Sequence, residues 1–185
     1  SCRIRKVIKL AFLLGLSTTI ICNIIPDNLG KMFYGRDDLG TYIRFASFGA
    51  PILFTSSTMF GILNGLNKQG IILRNSLIEA IIELIGLYIF TAIPSINILG
   101  YSITMIIATG TSFLLNIHEV KKHIDININS YNIFIYILLA LLVFLIIKIL
   151  ATHFLAHSLI INNFMVIGLT FFIFAYLGGF GESDS

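Results

Sequence analysis

Apolar residues along this chain come in blocks of about 20, the length a helix needs to cross the ~30 Å hydrocarbon core of a bilayer, with short polar stretches between them. The first block runs from Val7 to Ile25 and stops at Pro26. The second covers Tyr42 to Leu66 and contains Pro51, whose missing N–H predicts a kink. A third, Ile71 to Ile93, ends at Pro94, and Leu99 to Ile117, Tyr131 to Leu150 and Ile160 to Leu177 complete the set. The expectation is an all-α integral membrane bundle of about six transmembrane helices. Between the first two, Gly30, Gly35, Asp37 and Asp38 are turn formers, while Leu29, Met32, Phe33 and Tyr34 predict a short amphipathic turn resting at the interface. His118 to Ser130 reads as a polar connection.

Composition excludes a soluble fold. Of 185 residues 57% are hydrophobic and 11% charged, against roughly 45–50% and 25% in soluble domains. Too few polar side chains are present to cover a surface in water, whereas lipid carries no such demand. Sixteen Phe and seven Tyr, with no Trp, leave any aromatic belt to Tyr and Phe. The start is basic, but its apolar run is too long for a signal peptide and no small-residue cleavage pattern follows. Cys2 and Cys22 make neither a disulfide framework nor a metal site. No basic stripe interleaved with aromatics is present, which argues against nucleic acid as a partner.

Charge placement adds an orientation. Six spans put Arg3, Arg5, Lys6, Lys9, Lys68, Arg74, Lys121 and Lys122 on one side, and Lys31, Arg36, Arg44 and Lys148 on the other. By the positive-inside rule both termini are expected in the cytoplasm, in a multi-pass cell-membrane protein.

Glu79 and Glu83 are the sharpest chemical signal. At i, i+4 they share one face of the third helix, roughly 12 and 18 Å along it from Ile71. A carboxylate at that depth costs several kcal/mol unless it meets water, a cation or another polar group. Asn75, Ser76 and Gly86 share the same arc, and Arg74 and Tyr88 point away. Two readings stay open: a water-accessible cavity wall that binds a proton, a cation or a substrate hydroxyl, or a buried hydrogen bond to a neighbouring helix. On the second helix Arg44, Ser47, Pro51, Thr55 and Thr58 form one stripe at helical spacing, with Pro51 a candidate hinge. Arg44 is read either as snorkelling to the interface or as an anchor for a phosphate or carboxylate. Gly61 and Gly65 read as a packing pair, as do the small residues Thr104, Ala108 and Ser112 of the fourth helix. Lys148 is read as snorkelling, and the last two helices as facing lipid. His153 and His157, at i, i+4, are read as an interfacial cluster rather than metal ligands. The candidate cavity residues are thus Glu79, Glu83, Asn75, Arg44 and Thr55, with no catalytic residue, no metal and no cofactor.

A family resemblance accompanies these features. The run Ile25-Pro26-Asp27-Asn28-Leu29-Gly30 with Tyr34-Gly35-Arg36, then Gly61-Ile62-Leu63-Asn64-Gly65-Leu66 with Lys68-Gln69, resembles successive helix ends of prokaryotic polysaccharide flippases. Arg74-Asn75-Ser76-Leu77-Ile78-Glu79, Asn97-Ile98-Leu99-Gly100-Tyr101 and Leu177-Gly178-Gly179 continue the likeness. Together they are similar to the stage V sporulation protein B-like group within the multidrug, oligosaccharidyl-lipid and polysaccharide exporter superfamily. The resemblance implies the last six of about fourteen helices, with the N-terminal half of the transporter as the missing partner. It implies translocation of a lipid-linked saccharide or cell-wall precursor by alternating access, in a group associated with the spore cortex. It assigns no substrate-contacting residue.

The expected function is therefore that of a flippase rather than an enzyme, with the bilayer and a lipid-linked saccharide as partners. Cation-coupled multidrug efflux on the same scaffold is the rival. A membrane-embedded glycosyltransferase or polymerase is disfavoured by connections too short to hold an extramembrane domain.

Overall fold

In the computed structural model, residues 2–36, 38–94, 96, 98–124, 130–154 and 159–180 are described. All secondary structure among them is helical: α1 (Cys2–Ile24), α2 (Pro26–Tyr34), α3 (Gly40–Ser47), α4 (Ala50–Gly65), α5 (Gln69–Thr91), α6 (Ile98–His123), α7 (Ser130–Phe154) and α8 (Leu159–Phe180).

Proline and glycine set several of these bounds. The residue before a proline is disfavoured in the α region. Accordingly α1 ends at Ile24, Ile25 turns to φ −125° and ψ 44°, and Pro26 opens α2. That helix is where the amphipathic turn was expected, and Met32, Phe33 and Tyr34 are exposed along it. Gly35, at φ 66°, ends α2 by donating its N–H to the Lys31 carbonyl at 3.0 Å. Between α4 and α5, Asn67 takes φ 58°, a left-handed conformation that Asn tolerates better than most residues. Exposed side chains of Arg36 and Asp38 pair in the connection to α3, Nε donating to Oδ1 at 2.9 Å. The Arg36 hydrogen bond holds the Asp38 carboxyl below the usual carboxylate range.

Two sequence expectations need correction. The second block is not one kinked helix but two, α3 and α4, interrupted at residues 48–49. Pro51 lies in the first turn of α4, where a missing N–H leaves no hydrogen bond unmade. The fourth helix runs six residues past Ile117, because Lys121, Lys122 and His123 suit a helix C-terminus and Glu119 is held by cations, as shown below.

Among the described residues three helices are long and apolar enough to cross a membrane: Arg3–Ile24, Ile98–His123 and Ile133–Ala151. The pair α3 and α4 makes a fourth if counted as one broken span. Helix α5 has the length, at 23 residues, but carries Arg74, Glu79 and Glu83 within it. The described apolar stretch of α8, Asn163–Tyr176, is shorter.

The chain divides into two compact units. The first holds α1 as far as Gly15, with α4, α5 and α6; the second holds α1 from Leu16, with α2, α3, α7 and α8. In the first unit α6 packs against both α4 and α5. Thr104, Ala108 and Ser112 of α6 are buried there, as are Met59 and Leu63 of α4. Close approaches between α5 and α6 lie at Gly86 and Gly100. A Cβ on Gly86 would stand 2.6 Å from Thr104 Cγ2, and one on Gly100 would stand 2.7 Å from the Phe90 carbonyl carbon. Gly61 and Gly65, read as the packing pair, have nothing within 4 Å of such an atom among the described residues. Thr104 cannot readily move aside, since its hydroxyl donates to the Gly100 carbonyl at 2.8 Å. Gly86→Leu is therefore expected to destabilise the full-length protein by about 1–3 kcal/mol, and Gly61→Leu to leave it unchanged. Denaturation in detergent micelles checks both.

In the second unit, Thr19 Oγ1 donates to the Ser47 carbonyl at 2.8 Å and Asn23 Nδ2 to Ser47 Oγ at 2.9 Å, joining α1 to α3. Asn28 Nδ2 donates to Asn163 Oδ1 at 3.0 Å, joining α2 to α8. Ala140, Val143 and Ile147 of α7 and Val166, Thr170 and Phe174 of α8 are buried, while their other faces expose Leu, Ile and Phe.

Candidate functional site

Helices α4, α5 and α6 enclose a cleft of about 370 Å³ in the first unit. Glu79 and Glu83 of α5 line it, facing Ser56 and Ser57 of α4 and Thr109 and Ser112 of α6. At 1.5 Å per residue the two carboxylates lie about 15 and 21 Å along a helix about 34 Å long, near its middle. Both are half-buried. Among the described residues neither makes an ion pair or a hydrogen bond. Ser56, only 8% exposed, likewise has no hydrogen-bond partner among them. Other hydroxyls of α4 are committed to their own helix: Thr55 Oγ1 donates to the Pro51 carbonyl at 2.6 Å, and Ser57 Oγ to that of Leu53 at 3.0 Å. The cleft therefore offers two uncompensated carboxylates and the hydroxyls of Ser56, Ser76 and Thr109, which make no hydrogen bond among the described residues, suited to a cation, a proton or a ligand hydroxyl.

A hydrogen-bonded chain leads from one end of the cleft to the C-terminus of α6. Ser112 Oγ accepts from Asn116 Nδ2 at 3.4 Å, and both side chains line the cleft. Asn75, 1% exposed, donates through Nδ2 to Asn116 Oδ1 at 2.8 Å. Its Oδ1 accepts from Arg74 Nε and Nη2 at 3.2 and 3.1 Å. Arg74 Nη2 also donates to Glu119 Oε1 at 3.2 Å, an oxygen that Lys122 Nζ reaches at the same distance. These bonds fix α5 against α6 below the two free carboxylates.

Of the residues singled out from sequence, Glu79 and Glu83 share the cleft, and Asn75 lies one turn away in the buried chain. Thr55 is buried with its hydroxyl on the backbone, so it offers no hydrogen to a ligand. Arg44 belongs to the second unit. The supposed stripe from Arg44 to Thr58 crosses the break at 48–49 and so is not one helical face. Arg44 instead lines a separate cleft with Asn23, Asn28 and Lys148. His157 and the side chain of His153 lie outside the described residues.

Sequence reasoning missed Ser56, Asn116 and Glu119. The signal for the last two was present: 104, 108, 112, 116 and 119 continue one helical face. Ending the helix at Ile117 hid it.

No family model matches the chain, and no solved structure matches it. Over 126 residues it is 23% identical to Stage V sporulation protein B of Bacillus subtilis (strain 168). That alignment takes in 68% of this chain and 24% of the relative, so the chain spans about a quarter of the length of the curated protein it matches. The chain is thus helical over its described residues, with three helices long and apolar enough to cross a membrane and a distant similarity to that sporulation protein.

Proposed function

We propose that the chain is the C-terminal part of a flippase of the stage V sporulation protein B-like group, translocating a lipid-linked saccharide or cell-wall precursor by alternating access. In this reading six of about fourteen helices are present, both termini are cytoplasmic, and the transporter lies in the cell membrane with sporulation as one setting. Nothing covalent happens: two bundles rock, and the cleft of α4, α5 and α6 forms part of the cavity wall. The observation that carries the reading is the mid-helix pair Glu79 and Glu83, half-buried and uncompensated on a cleft with hydroxyls. Saccharide hydroxyls can donate to such carboxylates. The distant likeness to the sporulation protein supports the same direction.

Cation-coupled drug efflux is the second reading, because an uncompensated carboxylate pair also suits a cation. Full-length protein in liposomes separates the two. The flippase reading expects translocation of a lipid-linked saccharide to the opposite leaflet. Uptake of a cationic drug driven by a proton or sodium gradient, with no saccharide translocation, would replace it with efflux.

A further inference from the structure

The second unit holds a cleft of about 460 Å³, lined by Asn23, Asn28, Arg44, Phe144 and Lys148 among others, with no carboxylate among the described residues of its wall. Arg44 comes from α3 and Lys148 from α7, so two cations far apart in sequence face one space. Arg44 is exposed, and among the described residues its side chain makes no hydrogen bond or ion pair. The Lys148 ammonium stands 5.6 Å from the centre of the Phe144 ring, an aromatic face that suits a cation.

The carboxamides refine the chemistry. Asn23 Nδ2 spends both hydrogens, on the Thr19 carbonyl and Ser47 Oγ, each at 2.9 Å, leaving its oxygen as an acceptor. Asn28 Nδ2 spends one on Asn163, leaving one N–H to donate. A guanidinium, an ammonium and an amide N–H, with no carboxylate among them, match the oxygens of a phosphate better than a neutral or cationic group. Ile24, Ile25 and Ala151 complete the wall. An apolar wall beside a cationic one fits a phosphate joined to a hydrocarbon chain.

We propose that this cleft is an anion site for the phosphate group of a lipid, with Arg44 and Lys148 as its cations. It rests on the cleft alone and not on the transport reading, so binding rather than transport is its readout. Thermal unfolding of the full-length protein in neutral detergent is measured with phosphatidylglycerol, phosphatidylcholine or inorganic phosphate added. Phosphatidylglycerol is expected to raise the unfolding temperature more than phosphatidylcholine does. The half-saturating concentration is expected to rise at least about tenfold in Arg44→Gln/Lys148→Gln, and the shift to weaken with salt. Each variant is scored against its own lipid-free value. The single variants Arg44→Gln and Lys148→Gln serve if the double variant does not fold, and Lys68→Gln, outside the cleft, is expected to keep the full shift. A shift from phosphatidylglycerol that inorganic phosphate does not reproduce supports the site and assigns the lipid as its source. One reproduced by inorganic phosphate supports the anion site and assigns the free ion. No preference for phosphatidylglycerol over phosphatidylcholine and no shift with phosphate, or the same shift in the variants, overturns it.

Discussion

Asn75→Leu is expected to cost the full-length protein about 2 kcal/mol of stability, the order of an orphaned buried acceptor plus its lost bonds. Leucine keeps the branched outline of asparagine but is the bulkier side chain, so a packing cost adds to the lost bonds. It removes the donor to Asn116 Oδ1, on a residue only 3% exposed, and it takes two hydrogen bonds from Arg74. Arg74 keeps its bond to Glu119, which limits the loss. Asn116→Leu should cost a similar amount by orphaning Asn75 instead. The double variant should then cost less than the two singles together, with a coupling of about 1 kcal/mol, because no unpaired partner is left behind. Unfolding of all four proteins in micelles gives the cycle. Additive losses would mean that the Asn75–Asn116 bond contributes nothing specific.

How much of this was readable beforehand follows from how local each cause is. Pro26 acts on the residue before it, so the end of α1 could be read to within a residue, whereas α5 ends at Thr91, two residues short of the end expected from Pro94. Gly35 was readable for the same reason. The amphipathic stretch over Met32, Phe33 and Tyr34 also announces itself locally, although as a turn rather than the helix α2. The break at 48–49 was not readable, because Pro51 is compatible with a kinked helix and with the first turn of a new one. That ambiguity undid the stripe linking Arg44 to Thr55. The end of α6 was misjudged because Glu119, Lys121 and Lys122 look like a solvated loop. Glu119 is also held by Arg74, a residue of another helix, a contact that the local pattern does not show.

The site divides the same way. Glu79 and Glu83 stand out in any reading, since two carboxylates at i, i+4 in an apolar helix are costly and share a face. The helices opposite them are a tertiary matter, so Ser56 and Asn116 could not be named. Gly61 and Gly65 show the converse error. Spacing of small residues signals the capacity for close approach, but α5 and α6 meet at Gly86 and Gly100 instead.

Glu79→Gln/Glu83→Gln is expected to separate function from fold. Glutamine keeps the shape and removes the charge. If the carboxylates served only structure, their loss would lower stability. Because neither is paired among the described residues and the two repel at one turn's spacing, neutralising both should leave stability unchanged or raise it slightly. Translocation should nevertheless fall at least about tenfold, the effect of losing about 1.4 kcal/mol of differential interaction. The decisive measurement is therefore the rate of lipid-linked saccharide translocation in liposomes by full-length protein carrying both substitutions, with unfolding measured on the same preparation. A tenfold or greater loss of rate at undiminished stability is the result expected of a working cleft. Wild-type translocation by the stable double variant would contradict it.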